Sequence, residues 1–239
     1  VKVGAPVTDI TAGLLAAMGA AAAYAGKLRS GQGTRVDTSL FEAGITQTYW
    51  QSAIALATGE SPKALGSAHP LNAPYQAFPT ADGYINVGAA NQRNWERLLK
   101  VLAAEFLNDD PRFASNADRM AHLPELVAAL EPLFKAKTSD AWLAELDANG
   151  VPAGPILSIR EMLEHPQTKA RDMVVEMPHA AVGSLSGLGM PVKFHGAESV
   201  SHQGAPILGQ HTREVLAEAG YTDAEIKALY TEGVVFTAG

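Results

Sequence analysis

Apolar residues recur at helical spacing through most of the chain and alternate at strand spacing in only a few short runs. After Thr8-Asp9, the pair expected to cap a helix, residues 10–26 are almost wholly Ala, Gly, Leu and Met, and Ser30-Gly31 supplies the stop. Gly13, Ala16, Ala17, Gly19, Ala20 and Ala23 keep much of that helix small, which lets another backbone approach closely. The pattern therefore predicts a buried helix in the middle of a domain. Thr34 to Thr38 alternates like a strand after a Gly-bounded turn. A second helix is predicted over 40–58, with Phe41, Ile45, Tyr49, Ile54 and Leu56 on its apolar faces. Helix, short strand and helix joined by tight turns imply α/β architecture.

Residues 59–74 have no periodicity and hold Ser61-Pro62, Gly66, His69-Pro70 and Ala73-Pro74, which marks a linker. A hairpin follows, Tyr75 to Phe78 and Tyr84 to Val87, turning at Ala81-Asp82-Gly83. Helices are predicted at 92–107, 123–135 and 139–148, the last capped by Ser139-Asp140 and ended by Asn149-Gly150. Residues 151–156 are punctuated by Pro and Gly, and short helical pieces then reach Asp172. Short strands with Gly and Pro breaks are expected from Val174 to Phe194, and two helices at 212–219 and 223–231. The texture divides the chain into residues 1–58, a linker at 59–74, an α+β region at 75–172, and strands and helices at 173–239.

Composition narrows the function classes. A length of 239 residues, 47% of them hydrophobic and 18% charged, is that of a soluble globular protein. A net charge of −7 argues against a general nucleic-acid binder, which would carry a basic face. There is no cysteine, so thiolate zinc sites, disulfides and cysteine nucleophiles are excluded. The apolar run imitates a targeting signal, but Asp9 precedes it and it is short for a bilayer span. The expectation is a soluble cytoplasmic protein with no membrane partner. Val1 in place of Met implies a cut, processed or split chain.

Seven histidines are scattered at 69, 122, 165, 179, 195, 202 and 211, none at a metal-ligand spacing. No GxSxG elbow, GxxxxGK[ST] loop or GxGxxG turn is present, and no metal site is expected. Asp9 is the candidate for chemistry. A carboxylate at a helix start is stabilised by free N–H groups and the macrodipole. It can attack an acyl carbonyl to form a covalent intermediate. The same residue in the same place also serves as an ordinary cap worth about 1 kcal/mol.

Longer patterns decide between those readings. Asp9-Ile10-Thr11-Ala12-Gly13, the small-residue helix, and Arg29-Ser30-Gly31-Gln32-Gly33-Thr34-Arg35-Val36-Asp37-Thr38-Ser39-Leu40 resemble the class III (CaiB/BaiF) CoA-transferase signature. That signature reads D-x-x-x-G, an Ala-rich helix, then R-x-x-G-x-G-x-x-V-D-x-S-L. Further blocks follow in order: Gly66 to Pro70 leading into Pro74 to Phe78, Asp82 to Ile85 leading into Asn91, Gly150 to Ile156, and Leu208 to Leu216. The resemblance runs from Ala5 to the C-terminus. Its wording is closest to enzymes that use succinyl-CoA with dicarboxylates such as glutarate.

The resemblance implies an incomplete class III CoA-transferase fold, part of a Rossmann-like large CoA-binding domain plus a smaller α+β domain. It implies that Asp9 is the nucleophile, acylated in turn as a mixed anhydride and an aspartyl-CoA thioester. His69, Asn72 and Tyr75 lie in the candidate substrate loop. No tightly bound cofactor is expected, coenzyme A being part of the substrate, and the partners are acyl-CoA and a small carboxylic acid. Relatives of this kind form interlocked dimers, so a homodimer or a complex with an N-terminal segment is expected, and the isolated chain is expected to be inactive. Two other readings stand beside it. One is an acyl-CoA racemase or epimerase of the same superfamily, although a glycine-rich run follows the Asp in racemases and Ile10-Thr11-Ala12 follows it here. The other is a non-catalytic fragment that needs an N-terminal partner.

Overall fold

A computed structural model describes residues 3–196 and 203–236. They group into two compact units, divided after Ile156. This grouping is coarser than the four-part division expected from the sequence. Helices and strands are mixed, as expected, and every strand pairing among the described residues is antiparallel.

The first unit opens with helix α1 (Val7–Ser30), which ends at Gly31 in a left-handed conformation (φ 74°), its N–H bonded to Lys27 O at 2.8 Å. Lacking a Cβ, glycine adopts that conformation without steric cost. The helix starts earlier than expected. Pro6 is the N-cap and makes no side-chain capping bond, so Asp9 lies inside the first turn rather than at the cap. The expected burial also fails: no residue of α1 is buried. Helix α2 (Leu40–Gln47) lies against it, and so does Val36 of the run 32–39. Gly19 makes room for that run, since a Cβ there would stand 2.7 Å from Val36 Cγ1. By length and composition alone α1 could cross a membrane.

Thr34 to Thr38 carries no regular secondary structure and pairs with no strand among the described residues, contrary to expectation. The helix expected over 40–58 is two helices, α2 and α3 (Tyr49–Thr58). Thr48 makes the break: its hydroxyl donates to Ile45 O at 2.7 Å, and its N–H also bonds Ile45 O, tightening the turn. Ser39 caps α2 by accepting the Glu42 N–H at 3.2 Å.

The core lies between residues 73 and 151. Strands β1 (Tyr75–Pro79) and β2 (Tyr84–Gly88) form the expected hairpin, and β3 (Ala153–Pro155) adds to the far edge of β2. Helices α4 (Gln92–Val101), α5 (Asn116–Ala121), α6 (Leu123–Phe134) and α7 (Ser139–Ala148) complete this region. The inward residues of the strands, Phe78, Ile85 and Val87, meet Trp95, Leu98 and Leu99 of α4 and Leu126, Leu130 and Phe134 of α6. Alternation at period two and recurrence at three to four residues thus converge on one apolar cluster. The α4 helix stops earlier than expected, at Val101, and a short 3-10 turn covers 105–109. Thr138, rather than Ser139-Asp140, caps α7 by accepting the Ala141 N–H.

The second unit holds α8 (Ile159–Glu164), α9 (Pro166–Ala170), the hairpin β4 (Val174–His179) and β5 (Gly183–Leu188), then α10 (Thr212–Glu218) and α11 (Asp223–Thr231). His202 lies outside the described residues.

Candidate active site

Asp9 lines a cleft of about 420 Å³ formed by residues Val3 to Asp9. Its carboxylate is exposed and accepts one side-chain hydrogen bond, from Thr8 Oγ1 at 3.1 Å. Among the described residues no side chain caps α1, so the orphan N–H groups of its first turn have no side-chain acceptor there. A carboxylate here lies at the positive end of a 24-residue helix.

The loop at 69–75 gathers the other three expected residues. The His69 ring stacks on Tyr75, with centroids 5.1 Å apart and an interplanar angle of 6°. Asn72 Nδ2 lies 3.2 Å from His69 Nδ1, and the Leu71 N–H donates to the same nitrogen at 3.1 Å. The His69 N–H bonds Tyr75 O at 2.9 Å and closes the loop. Trp50 of α3, which sequence reasoning missed, also meets the imidazole, edge-on with centroids 5.0 Å apart.

No hydrogen bond joins Asp9 to this trio among the described residues. The two groups are tied through helices instead. Gln47 at the end of α2 donates to Thr11 at 2.9 Å, two residues beyond Asp9, and Trp50 follows three residues later against His69. Trp50 could not be read from sequence because the 40–58 pattern looks continuous, and the break at Thr48 is what redirects the following turn.

With that geometry in view, the comparisons with known proteins are specific. The model of CoA-transferase family III matches residues 1–212. This chain belongs to that family. An acyl-CoA transferase of Fusarium pseudograminearum is 40% identical over 234 residues, covering 97% of this chain and 51% of that protein. The succinyl-CoA:glutarate CoA-transferase of Homo sapiens is 33% identical over 236 residues, covering 98% and 54%. A CAIB/BAIF family protein from Brucella suis superposes with a TM-score of 0.75 at 35% identity, covering 91% of this chain and 56% of that one. The chain therefore spans about half the length of the relatives it matches.

Proposed function

We propose that this family III chain takes part in moving CoA from an acyl-CoA to a dicarboxylic acid, with Asp9 as the group that carries it. Asp9 supports this reading most directly: an ionisable, exposed carboxylate in an uncapped first turn, at the head of the D-x-x-x-G pattern. Its Oδ attacks the thioester carbonyl, forming a mixed anhydride and expelling CoA thiolate. The thiolate attacks the Asp9 acyl carbon, which releases the donor acid as its carboxylate and leaves an aspartyl-CoA thioester. The acceptor carboxylate attacks that thioester, giving a new anhydride and free thiolate. Thiolate attack on the acceptor's acyl carbon then restores Asp9 and forms the new acyl-CoA. Each tetrahedral intermediate gains from preorganised N–H donors, which the first turn of α1 offers.

His69, Asn72 and Tyr75 are read as the substrate contacts, because they converge on one loop with polar atoms and aromatic faces together. The glutarate-type relative supports a dicarboxylate as the acid. In the intact enzyme, incubation with acyl-CoA and hydroxylamine should convert Asp9 to a hydroxamate, located by mass spectrometry of its peptide. Asp9→Asn should abolish both that adduct and turnover, a fall of at least about 10³-fold. Undiminished turnover by this variant would remove Asp9 from the chemistry.

A further inference from the structure

The backbone of Leu71 and Ala73 is held by one helix that the signature blocks do not include. Asn116, the first residue of α5, accepts the Ala73 N–H on Oδ1 at 3.0 Å and donates Nδ2 to Leu71 O at 2.9 Å. One turn on, Arg119 donates Nε to Ala73 O at 2.8 Å. Its Nη1 also reaches Phe113 O at 2.9 Å and Gln92 Oε1 at 3.1 Å. Pro74 O accepts the Ala89 N–H at 2.9 Å. Thus the carbonyls of 71, 73 and 74 and the N–H of 73 all have fixed partners.

Arg119 is fully buried, stacks on Trp95 at 5.0 Å, and has no acidic partner in its hydrogen-bond shell. Among the described residues its Nη2 and Trp95 Nε1 find no acceptor. Burial pushes the guanidinium's pKa down, although an arginine remains charged. An apolar side chain in its place would leave the Ala73 and Phe113 carbonyls without the donor they now have. A buried, incompletely satisfied arginine whose best-placed nitrogen grips the loop backbone points to a role in shaping that loop.

The loop fixes the imidazole in turn. A backbone N–H can only donate, so His69 Nδ1, which receives the Leu71 N–H, is an acceptor. The single proton of the neutral ring therefore sits on Nε2. Tyr75 stacks on the ring and Trp50 meets it edge-on, so two aromatic neighbours pack against the imidazole.

We propose that Asn116 and Arg119 are positioning residues, which clamp the backbone of Leu71 and Ala73 so that His69 offers Nε2–H, and not Nδ1–H, to the substrate carboxylate. This rests on the reading of His69 as a substrate contact, and it adds to that reading how the contact is oriented. Nitrogen-15 NMR of histidine-labelled intact enzyme at alkaline pH should show His69 unprotonated at Nδ1 and protonated at Nε2. Asn116→Ala removes two loop bonds and leaves Arg119 in place. It should mix the two tautomers and lower kcat/KM about 10- to 100-fold, chiefly through KM, while Asp9 still forms its adduct at saturating acyl-CoA. Arg119→Lys keeps the charge but loses the fork, and should fail to restore the wild-type KM. A proton on Nδ1 in the wild-type enzyme would overturn the clamp, and this holds even if the variants do not fold. Unchanged kinetic constants and an unchanged tautomer in Asn116→Ala, with only a lowered Tm, would overturn it too. An absent Asp9 adduct in the wild type would instead sink the transferase reading, and the NMR result would still decide the tautomer.

Discussion

Asp82 ties the turn of the β1–β2 hairpin to the start of α7. Its Oδ1 accepts the Ser139 N–H at 2.8 Å and the Thr80 hydroxyl at 3.1 Å. The Ser139 N–H is the largest of the influences that hold this carboxyl below its ordinary value, and the hydroxyls of Ser139 and Thr80 act in the same direction. A depressed folded-state pKa stabilises the fold at pH above the unfolded value, about 4, and that contribution is lost as pH falls through the folded value. Asp82→Asn should therefore lower the urea midpoint at pH 6, and the gap to wild type should narrow as pH falls below about 4. Parallel curves across that range would show that the carboxylate's charge does nothing for stability. The turn was legible as Ala81-Asp82-Gly83, but the partner was not, because Ser139 is 57 residues away. The same blindness applies to Asn116 and Arg119. Ser115 and Asp118 form the capping box that opens α5, a helix the sequence reading did not predict, and nothing local says that it grips Leu71 and Ala73.

At the scale of elements, the strongly periodic segments were the legible ones. Leu126, Leu130 and Phe134 recur every four residues along α6, and all three are buried. Phe134 stacks on Phe78 at 4.7 Å and meets Trp142 edge-on at 5.6 Å, while its carbonyl accepts the Trp142 indole N–H at 2.6 Å. It thereby joins sheet, α6 and α7. Phe134→Ala should cost about 3–5 kcal/mol by denaturant unfolding, with Glu131→Ala on the outer side of the same helix costing under about 0.5 kcal/mol. Equal effects would mean that the burial pattern does not govern stability here. Short or aperiodic elements escaped. The three residues of β3 sit between Pro152 and Ile156 and pair only as an edge, where proline is tolerated, so no alternation could reveal them. The division of α2 from α3 depends on a single threonine hydroxyl turning back onto the chain, and the apolar spacing runs straight through it.

Over the whole molecule, length of helix and depth of burial separate. Every buried hydrophobic side chain except Ala43 and Ile226 falls between residues 73 and 151 among the described residues. The longest helix, α1, has no buried residue and leaves Ile10, Leu14, Met18, Tyr24 and Leu28 exposed. The expectation of a buried α1 came from its small, apolar composition, which states what a helix can pack against and not what lies beside it. Local opening is controlled by buried apolar packing more than by the number of backbone hydrogen bonds, and long helices without such packing open at little cost. In this 239-residue chain, hydrogen exchange should therefore be slowest in β1, β2, α4, α6 and α7, where Phe78, Ile85, Leu98, Leu130 and Leu146 are sealed. Exchange in α1 should be at least about 100-fold faster despite its 24 residues, and the β4–β5 hairpin should be fast as well. Protection of α1 equal to that of α6 would show that a buried surface covers the helix, and the link drawn here between exposure and opening would then be wrong.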